Sequence, residues 1–389
     1  MAGTSKSADY YETRQKFETP TKVLILSKTT RLQYELSKHK LDFNSRHQEK
    51  FVQKLKKMGI NMAEIEAKHA KQEEYVKDLK DELERRNIEV VVVLRNDYTQ
   101  ELVESCGLII SAGGDGTFLT AASKVKNNTP LIGINTDPIG SEGHLCITGK
   151  ANVKAEKVIA KFLDNQFKWL FRQRIRVTIL STPNGSPPST PSSILPFIKN
   201  KNNNNHTEPA EQEFLALNEV FIGETHAARV SYYELQIDDS PMLKQKSSGM
   251  TVCTGTGSTS WHYNINRINE QKMNGIFDVL KDMGVDLGTM NRDDLVENVC
   301  NKYNHTLIFD PSYDQMAFSV RDPVFNATFP HTESRGFCKS IRIKSRCTKA
   351  HIVLDGNQSI NFNQGTEVLL EMHDHDELRT ATMDPHMFK

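Results

Sequence analysis

The stretch "GLIISAGGDGTFLTAASKV", residues 107–125, decides the fold of the first half of this chain. An apolar run ends in three glycines placed around one aspartate, and a second apolar pattern follows. Asp-Gly between two strands is a common hairpin turn. However, Phe118, Leu119, Ala122 and Val125 recur at helical spacing without the alternation of a strand, so this part is predicted to be a helix. The pattern indicates a strand, a glycine loop and a helix.

Length and charge limit the classes of function that the chain can have. Its 389 residues are enough for two or three domains, and two are expected. The 49 basic and 49 acidic residues balance, so we expect a small-molecule partner and no nucleic acid. No apolar run approaches the roughly 20 residues needed to cross a bilayer, so no membrane is expected. The first twenty residues resemble neither a secretory signal nor a transit peptide.

The cysteines are scattered along the chain without any Cys-x-x-Cys pair. Such spacing predicts neither a zinc site nor a disulfide framework, and a reducing compartment is the default. The six residues are Cys106, Cys146, Cys253, Cys300, Cys338 and Cys347.

Short apolar runs alternate with helical stretches in the first 165 residues. The runs are "KVLILSK" (22–28), "IEVVVVLR" (88–95), "GLIISA" (107–112) and "PLIGIN" (130–135), and a charged segment at 62–86 is predicted to be a solvated helix. After a polar tail at 1–20, residues 21–165 are therefore expected to form an α/β, Rossmann-like domain with a parallel sheet. Ligands of such sheets bind at the carboxyl ends of the strands, where the glycine loop falls.

The second half of the chain is predicted to be mostly β. Short strands separated by turn residues run through 166–370, with two helical inserts at about 262–303, and residues 371–389 form a C-terminal segment. Residues 181–213 are rich in Ser, Pro and Asn, so they are predicted to be a disordered insert.

The glycine loop carries the first candidate chemistry. Neither a P-loop ending in Gly-Lys-Ser/Thr nor a Gly-x-Gly-x-x-Gly fingerprint is present. Glycines can nevertheless let backbone N–H groups approach a phosphate, and a helix beginning near Thr117 would add its positive end. Asp115 would then serve an attacking hydroxyl as base. A plain turn is the equal alternative for the loop, whose glycines are Gly113, Gly114 and Gly116.

Two further features lie in the β half. Asn218 and Glu219 interrupt the apolar strand "FLALNEVFIG", either as a strand-end pair that faces water or as a clamp for the vicinal diol of a ribose. Residues 254–261, "TGTGSTSW", follow a clean strand with small, hydroxylated side chains. They form either a flexible loop or a surface rich in hydrogen-bond donors.

These three motifs, in this order, resemble those of the NAD kinases. The first motif alone is shared with phosphofructokinases and lipid kinases, whereas the ordered set is far more specific. "INTDPIGSEGHLC" (134–146), "KQKSSG" (244–249) and "DELRT" (376–380) are similar to the mitochondrial branch of the animal enzymes. The resemblance covers residues 20–180 and 213–380.

The resemblance implies an α/β domain, a β domain and a homodimer in the mitochondrial matrix. It implies transfer of the ATP γ-phosphoryl group to the 2′-hydroxyl of the adenosine ribose of NAD, with Mg²⁺ carried by ATP and no metal site of the protein's own. Asp115 is the implied base, Asn218 and Glu219 hold a ribose, and Gly143 with His144 packs the adenine. The implied lining of the dinucleotide is Thr254, Ser258, Thr259, Ser260 and Trp261.

The chain departs from the family pattern at two places. Lys246 and Ser248 stand where an acidic run is usual, and Lys246 is either a ligand contact or a surface charge. His144 replaces an aromatic residue, and it either stacks on adenine or belongs to an ordinary loop.

Lys28, at the end of the first strand, either reaches an ATP phosphate or is a surface lysine. "HDHDE" (373–377) is expected to be solvated rather than a metal site.

Two other functions remain open from the sequence. A lipid kinase of the same superfamily would need an apolar substrate cleft, and the polar loop at 254–260 argues against one. A non-catalytic NAD(H)-binding module would lack transfer chemistry, and the presence of Asp115 argues against it.

Overall fold

The apolar runs of the first half form a parallel sheet, as expected. The computed structural model describes residues 17–182, 192–193, 213–226, 228–286, 288, 291–384 and 387. It divides into two compact units, one containing the chain up to Phe171 and from Leu378 onward, the other containing the stretch from Arg172 to Glu377. In the first unit the parallel strands lie in the order β2-β1-β3-β4. Their bounds are β1 (Lys22–Ser27), β2 (Glu89–Val93), β3 (Leu108–Ala112) and β4 (Leu131–Ile134).

Helices cover this sheet because their apolar stripes need a partner surface. All five residues of β3 are buried, Ser111 included, which explains why apolar residues do not alternate with exposed polar ones along this strand. The helix predicted at 62–86 is confirmed at Met62–Glu84, and it buries Val76, Leu79 and Leu83 in the core beneath it. The helices of this unit are α1 (Arg31–Lys38), α2 (Glu49–Lys57), α3 (Met62–Glu84), α4 (Gln100–Glu104), α5 (Asp115–Ala122) and α6 (Ala155–Leu163), with short 3₁₀ turns at Phe43–His47 and Arg95–Asp97.

The domain boundary differs from the expected position at residue 165. Strand β5 (Lys168–Arg172) belongs to the first sheet, and β19 (Leu378–Thr382) returns there to lie between β4 and β5. Composition changes where strands become frequent, but it does not indicate which sheet a strand joins. For the same reason the predicted C-terminal segment at 371–389 is divided, with its first residues ending a strand of the second unit.

The second unit consists of two antiparallel sheets that share one core. Their strand orders are β11-β10-β15-β18-β6-β8 and β14-β13-β12-β9-β16-β17-β7. The bounds are β6 (Ile175–Ser181), β7 (Ser192–Ser193), β8 (Glu213–Ala216), β9 (Glu219–Glu224), β10 (Ser231–Ile237), β11 (Leu243–Ser247), β12 (Met250–Cys253), β13 (Met316–Val320), β14 (Arg335–Cys338), β15 (Ser340–Ser345), β16 (Ala350–Leu354), β17 (Gln358–Asn361) and β18 (Glu367–Met372).

Two helical inserts were expected in this β unit, and the residues that the structure describes there form three helices. They are α7 (Trp261–Asn266), α8 (Glu270–Asp282) and α9 (Arg292–His305), preceded by a 3₁₀ turn at Thr256–Thr259. Asn269 separates the first two, because its side chain accepts the Lys272 N–H and starts a new helix. Most of the predicted insert at 181–213 lies outside the described residues. The prediction of disorder is wrong at Ser181, Ser192–Ser193 and Glu213, which belong to β6, β7 and β8.

Within the residues that the structure describes, no helix is both long and apolar enough to cross a membrane. The six cysteines are all buried, and they form no disulfide with one another. Burial raises the pKa of the Cys338 thiol to about 12, which keeps it in the inert, protonated form.

Candidate functional site

The glycine loop lies at the carboxyl end of β3, where the parallel sheet presents its ligand edge. Helix α5 begins at Asp115 with Gly114 as its N-cap, so the hairpin alternative is wrong and the helix starts two residues before the expected Thr117. The N–H of Lys28 donates to the carbonyl of Ala112 (2.9 Å), which joins the end of β1 to the loop. The first turn of α5 therefore directs its N–H groups outward from this edge.

The carboxylate of Asp115 is held by the backbone of a second loop. Its Oδ1 accepts the Leu145 N–H at 2.8 Å, and its Oδ2 accepts the His144 N–H at 3.2 Å. Each oxygen of a carboxylate can accept more than one hydrogen bond, so both retain capacity for a ligand hydroxyl. The sequence placed Asp115 and His144 in one site, and the structure joins them through the backbone, with His144 itself exposed.

The glycines of these loops are required for different reasons. A Cβ on Gly114 would lie 2.3 Å from Ser141 Oγ, and one on Gly143, whose φ is +65°, would lie 2.5 Å from Asn135 Nδ2. The protein's own packing therefore demands these two glycines. A Cβ on Gly116, in contrast, would meet nothing within 4 Å.

Lys28 has a charged partner that the sequence analysis missed. Its Nζ lies 3.5 Å from Asp137 Oδ2, and both side chains are about one third exposed, at 38% and 32%. Asp137 follows β4, and its position after an apolar strand was the available signal. This pair places one cation and one carboxylate after the ends of β1 and β4, the two strands that flank β3 and its glycine loop.

In the second unit, Asn218 and Glu219 lie where the chain passes from one sheet to the other. Strand β8 ends at Ala216 and β9 begins at Glu219, so "FLALNEVFIG" is two strands of different sheets rather than one. Asn218 Oδ1 and Glu219 Oε2 are buried atoms that have no hydrogen-bond partner among the described residues. Buried acceptors in folded proteins are normally bonded, so two adjacent ones without partners indicate a place for donors from outside the chain.

Glu219 is also electrostatically unusual. Burial, and secondarily the nearby charge of Asp355, raises the pKa of its carboxyl from 4.5 to about 7. Titratable groups with pKa values shifted by burial and by a specific neighbour are concentrated at functional sites. Asp355 was not predicted, although the Asp-Gly turn signal in "AHIVLDG" marked its position.

The loop at 254–261 packs directly against this crossing. The Thr254 hydroxyl donates to the Leu217 carbonyl (2.6 Å), and a Cβ on Gly257 would lie 2.1 Å from the Asn218 carbonyl oxygen. The Ser258 hydroxyl donates within the loop to the Gly255 carbonyl at 2.7 Å. Thr254 and Ser258 are thus buried and bonded inside the protein, whereas Thr259 and Trp261 are exposed.

Trp261 and Ser248 both contact Arg321, a residue that was not predicted from the sequence. The Arg321 guanidinium lies 5.7 Å from the centre of the Trp261 ring, and the Arg321 carbonyl accepts the Ser248 N–H at 2.8 Å. Lys246 lies over the Tyr232 ring at 5.4 Å. Arg321 therefore brings a positive charge beside the exposed indole.

In the described part of the chain, no group of three or more His, Cys, Asp or Glu side chains is arranged to hold a metal ion. The expectation that "HDHDE" is solvated is wrong for Asp376 and Glu377, which are buried. Asp376 accepts the Arg176 Nε–H at 2.8 Å, so it takes part in an ion pair of the second unit. Mg²⁺ is usually held by one or two carboxylates together with substrate phosphates, and the carboxylates of Asp115 and Asp137 beside the glycine loop fit that donor set.

The sequence is similar to those of known NAD kinases. The model of the family described as "ATP-NAD kinase N-terminal domain" matches residues 26–167. The chain is 36% identical over 377 residues to "NAD kinase 2, mitochondrial" of Homo sapiens, an alignment covering 94% of this chain and 85% of the human protein. It is 36% identical over 397 residues to the protein of the same name from Xenopus tropicalis, covering 94% and 91%.

Among solved structures, the chain is similar to yeast NADH kinase complexed with NADH. The TM-score is 0.52 at 13% sequence identity, over 94% of this chain and 84% of the yeast chain. This likeness concerns the fold, and the alignments with the animal proteins carry the family. With 36% identity over nearly its whole length, this chain belongs to the NAD kinase family.

Proposed function

We propose that this member of the NAD kinase family transfers the γ-phosphoryl group of ATP to the 2′-hydroxyl of the adenosine ribose of NAD, giving NADP and ADP. The observation that carries the proposal is the pair of buried, unpartnered oxygens on Asn218 and Glu219. A ribose diol supplies two O–H donors on adjacent carbons, which matches two acceptors on adjacent residues. A lipid acceptor offers no comparable reason for leaving these oxygens unpaired.

Asp115 is proposed to accept the proton of the attacking hydroxyl. Its two backbone bonds fix the carboxylate in one orientation, and a fixed acceptor within hydrogen-bond reach is what a general base requires. The proton moves from the ribose oxygen to a carboxylate oxygen as the oxygen–phosphorus bond forms and ADP leaves. Catalysis of such a transfer rests mainly on positioning and on stabilising charge.

The start of helix α5 and Lys28 are proposed to bind the donor phosphates. The backbone N–H of Gly116 belongs to the first turn, where a helix attracts anions, whereas the N–H of Thr117 already donates to the Gly114 carbonyl at 2.9 Å. Mg²⁺ entering with ATP would be held by Asp115 or Asp137 and would neutralise phosphate charge during transfer.

For the rest of the dinucleotide, the exposed Thr259 and Trp261 are the proposed contacts, together with Ser260 and Lys246. His144 is proposed to lie against adenine, since its ring is exposed beside the backbone that binds Asp115. A homodimer in mitochondria is proposed from the family resemblance, and the names of the animal relatives support the location.

One assay tests the proposed reaction. The protein is incubated with Mg-ATP and NAD, with parallel samples containing diacylglycerol or sphingosine vesicles in place of NAD, and NADP and phospholipid are measured. NADP that depends on both ATP and NAD is expected. Phosphorylated lipid without NADP would establish the lipid kinase alternative, and NAD binding without any product would establish the non-catalytic one.

A further inference from the structure

The backbone of residues 217–219 is hydrogen-bonded in an unusual way. All three of its N–H groups donate to a single side chain, that of Asp355. Oδ2 accepts from Leu217 at 2.8 Å, while Oδ1 accepts from Asn218 at 2.7 Å and from Glu219 at 3.1 Å. One carboxylate therefore binds the whole connection between β8 and β9.

The carbonyl groups of the same three residues are bonded as well. The Leu217 oxygen accepts the Thr254 hydroxyl at 2.6 Å, and the Asn218 oxygen accepts the Thr254 N–H at 3.0 Å. The Glu219 oxygen accepts the N–H of Asp355 at 3.0 Å. Every backbone donor and acceptor of the segment is thus satisfied, so the unpartnered oxygens of the Asn218 and Glu219 side chains are not needed to stabilise their own backbone.

Asp355 is itself fixed by a tight turn. It has a φ of +49° and is followed by Gly356 at +65°, between the paired strands β16 and β17. Aspartate is one of the few residues that adopts this left-handed conformation readily. Strand β16 pairs with β9, with Leu354 opposite Val220, so the turn extends past the first residue of β9. The hairpin thereby delivers the carboxylate to the crossing.

The bonds to Asp355 fix the geometry of the connection between β8 and β9. Three N–H groups on one carboxylate set the directions in which the neighbouring Cα–Cβ bonds point, and hence where the Asn218 and Glu219 side chains lie. Near-optimal placement of binding groups depends on such supporting bonds.

We propose that Asp355 is the positioning residue that orients Asn218 and Glu219 for binding a ribose of NAD. This inference rests on the proposed function, because the ligand is the one proposed above. Asp355 does not touch the substrate; it acts through the backbone of the two residues that do.

Asp355→Asn tests the proposal. The amide oxygen can replace one carboxylate oxygen, but the NH₂ group then faces an N–H donor. Because a charge-assisted bond is lost, we expect the Kd for NAD to rise about ten- to a hundredfold, while the KM for ATP changes by less than about twofold. Amide hydrogen exchange of residues 217–219, measured by mass spectrometry, is expected to accelerate.

Asp238→Asn is the matched control. Asp238 also has a positive φ, +47°, and its Oδ1 accepts the N–H groups of Lys339 and Ser340 at 2.8 and 2.9 Å. It lies in the turn after β10, in the other sheet. This variant is expected to leave the Kd for NAD and the exchange at 217–219 unchanged.

Several results would overturn the proposal. One is a Kd for NAD in Asp355→Asn equal to that of the unmodified protein, and another is equal weakening of NAD and ATP. If Asp355→Asn does not fold, Asp355→Glu replaces it, because this variant keeps the charge but moves the carboxylate away from the three N–H groups. NAD binding is then expected to weaken while the KM for ATP stays within about twofold, and unchanged NAD binding would contradict the proposal.

The proposed function can fail separately. If the unmodified protein binds no NAD, the ligand assignment is wrong. Exchange at residues 217–219 in Asp355→Asn still reports whether this carboxylate orders the segment, independently of any ligand.

Discussion

Glu219→Gln is expected to stabilise the protein at pH 8 while weakening its binding of NAD. The Glu219 carboxyl is buried beside Asp355, and its Oε2 has no hydrogen-bond partner among the described residues. Burial first, and the Asp355 charge second, raise its pKa from 4.5 to about 7. Glutamine has nearly the same shape and carries no charge, so the substitution removes the cost of ionising this buried group.

The stability changes with pH because the folded and unfolded states hold the Glu219 proton over different pH ranges. Between pH 4.5 and about 7 the folded protein keeps Glu219 protonated, whereas the unfolded chain has already lost that proton. The free energy of unfolding therefore falls as the pH rises through this window. A rise of roughly 2.5 in the pKa corresponds to a loss of at most about 3 kcal/mol in the free energy of unfolding. This loss is present at pH 8 and largely absent below pH 5.

Thermal melting followed by circular dichroism at pH 5 and pH 8, without ligand, measures this difference. At pH 8 the Glu219→Gln variant is expected to melt about 3–10 °C above the unmodified protein, and near pH 5 the two are expected to differ little. The KM for NAD is expected to rise about tenfold or more, since an anionic acceptor is lost. Greater stability with weaker binding is characteristic of a residue retained for function.

Glu224→Gln supplies the control, because Glu224 ends the same strand, β9. Its Oε2, like that of Glu219, is buried without a hydrogen-bond partner among the described residues, but its Oε1 accepts the N–H groups of Thr348 and Lys349 at 3.1 and 3.4 Å, so losing the charge is expected to be neutral or destabilising. Equal melting temperatures of Glu219→Gln and the unmodified protein at pH 8 would show that ionisation of Glu219 does not destabilise the fold. An equal gain at both pH values would also refute it, because the effect would not come from ionisation.

Three further substitutions separate phosphate binding, folding and NAD binding. Gly116→Ala is expected to fold normally, since its Cβ meets nothing within 4 Å, and to raise the KM for ATP because phosphate approaches there. Gly114→Ala, whose Cβ would lie 2.3 Å from Ser141 Oγ, is expected to lower the melting temperature. An unchanged KM for ATP in Gly116→Ala would argue against phosphate binding at that position. Asn218→Ala is expected to raise the KM for NAD with little change for ATP, and steady-state kinetics that show equal weakening of both would assign Asn218 to the fold.

Much of the fold could be predicted because its signals are local. The apolar runs of β1 to β4 and the helical stripe of α3 depend on a few neighbouring residues, and the structure confirms them. The glycine loop was predicted between a strand and a helix for the same reason. Local pattern determines the element, so it needs no knowledge of the partner strand.

The predicted and observed structures differ where pairing between residues far apart in sequence determines the fold. Leu378–Thr382 joins a sheet whose neighbouring strand β4 lies more than two hundred residues earlier, and no local pattern encodes that pairing. "FLALNEVFIG" was taken as one strand because apolar residues continue across Asn218, whereas the chain changes sheets there. Asp355 was missed as a partner of residues 217–219 because 136 to 138 residues separate the two in sequence.

The roles of the site residues stay predictions that kinetics can decide. The central claim is that Asp115 accepts the proton of the 2′-hydroxyl of NAD. Asp115→Asn keeps the size of the side chain and one acceptor oxygen for the N–H groups of His144 and Leu145, but it removes the base. Comparing kcat for NADP formation with the Kd for NAD, both measured on this variant, separates catalysis from binding.

That comparison is the most direct test. In Asp115→Asn, kcat is expected to fall about 10²- to 10⁴-fold while the Kd for NAD changes by no more than a few fold. A variant that retains more than about a tenth of the unmodified kcat would contradict it, and would assign the Asp115 carboxylate to holding the loop at His144 and Leu145 alone.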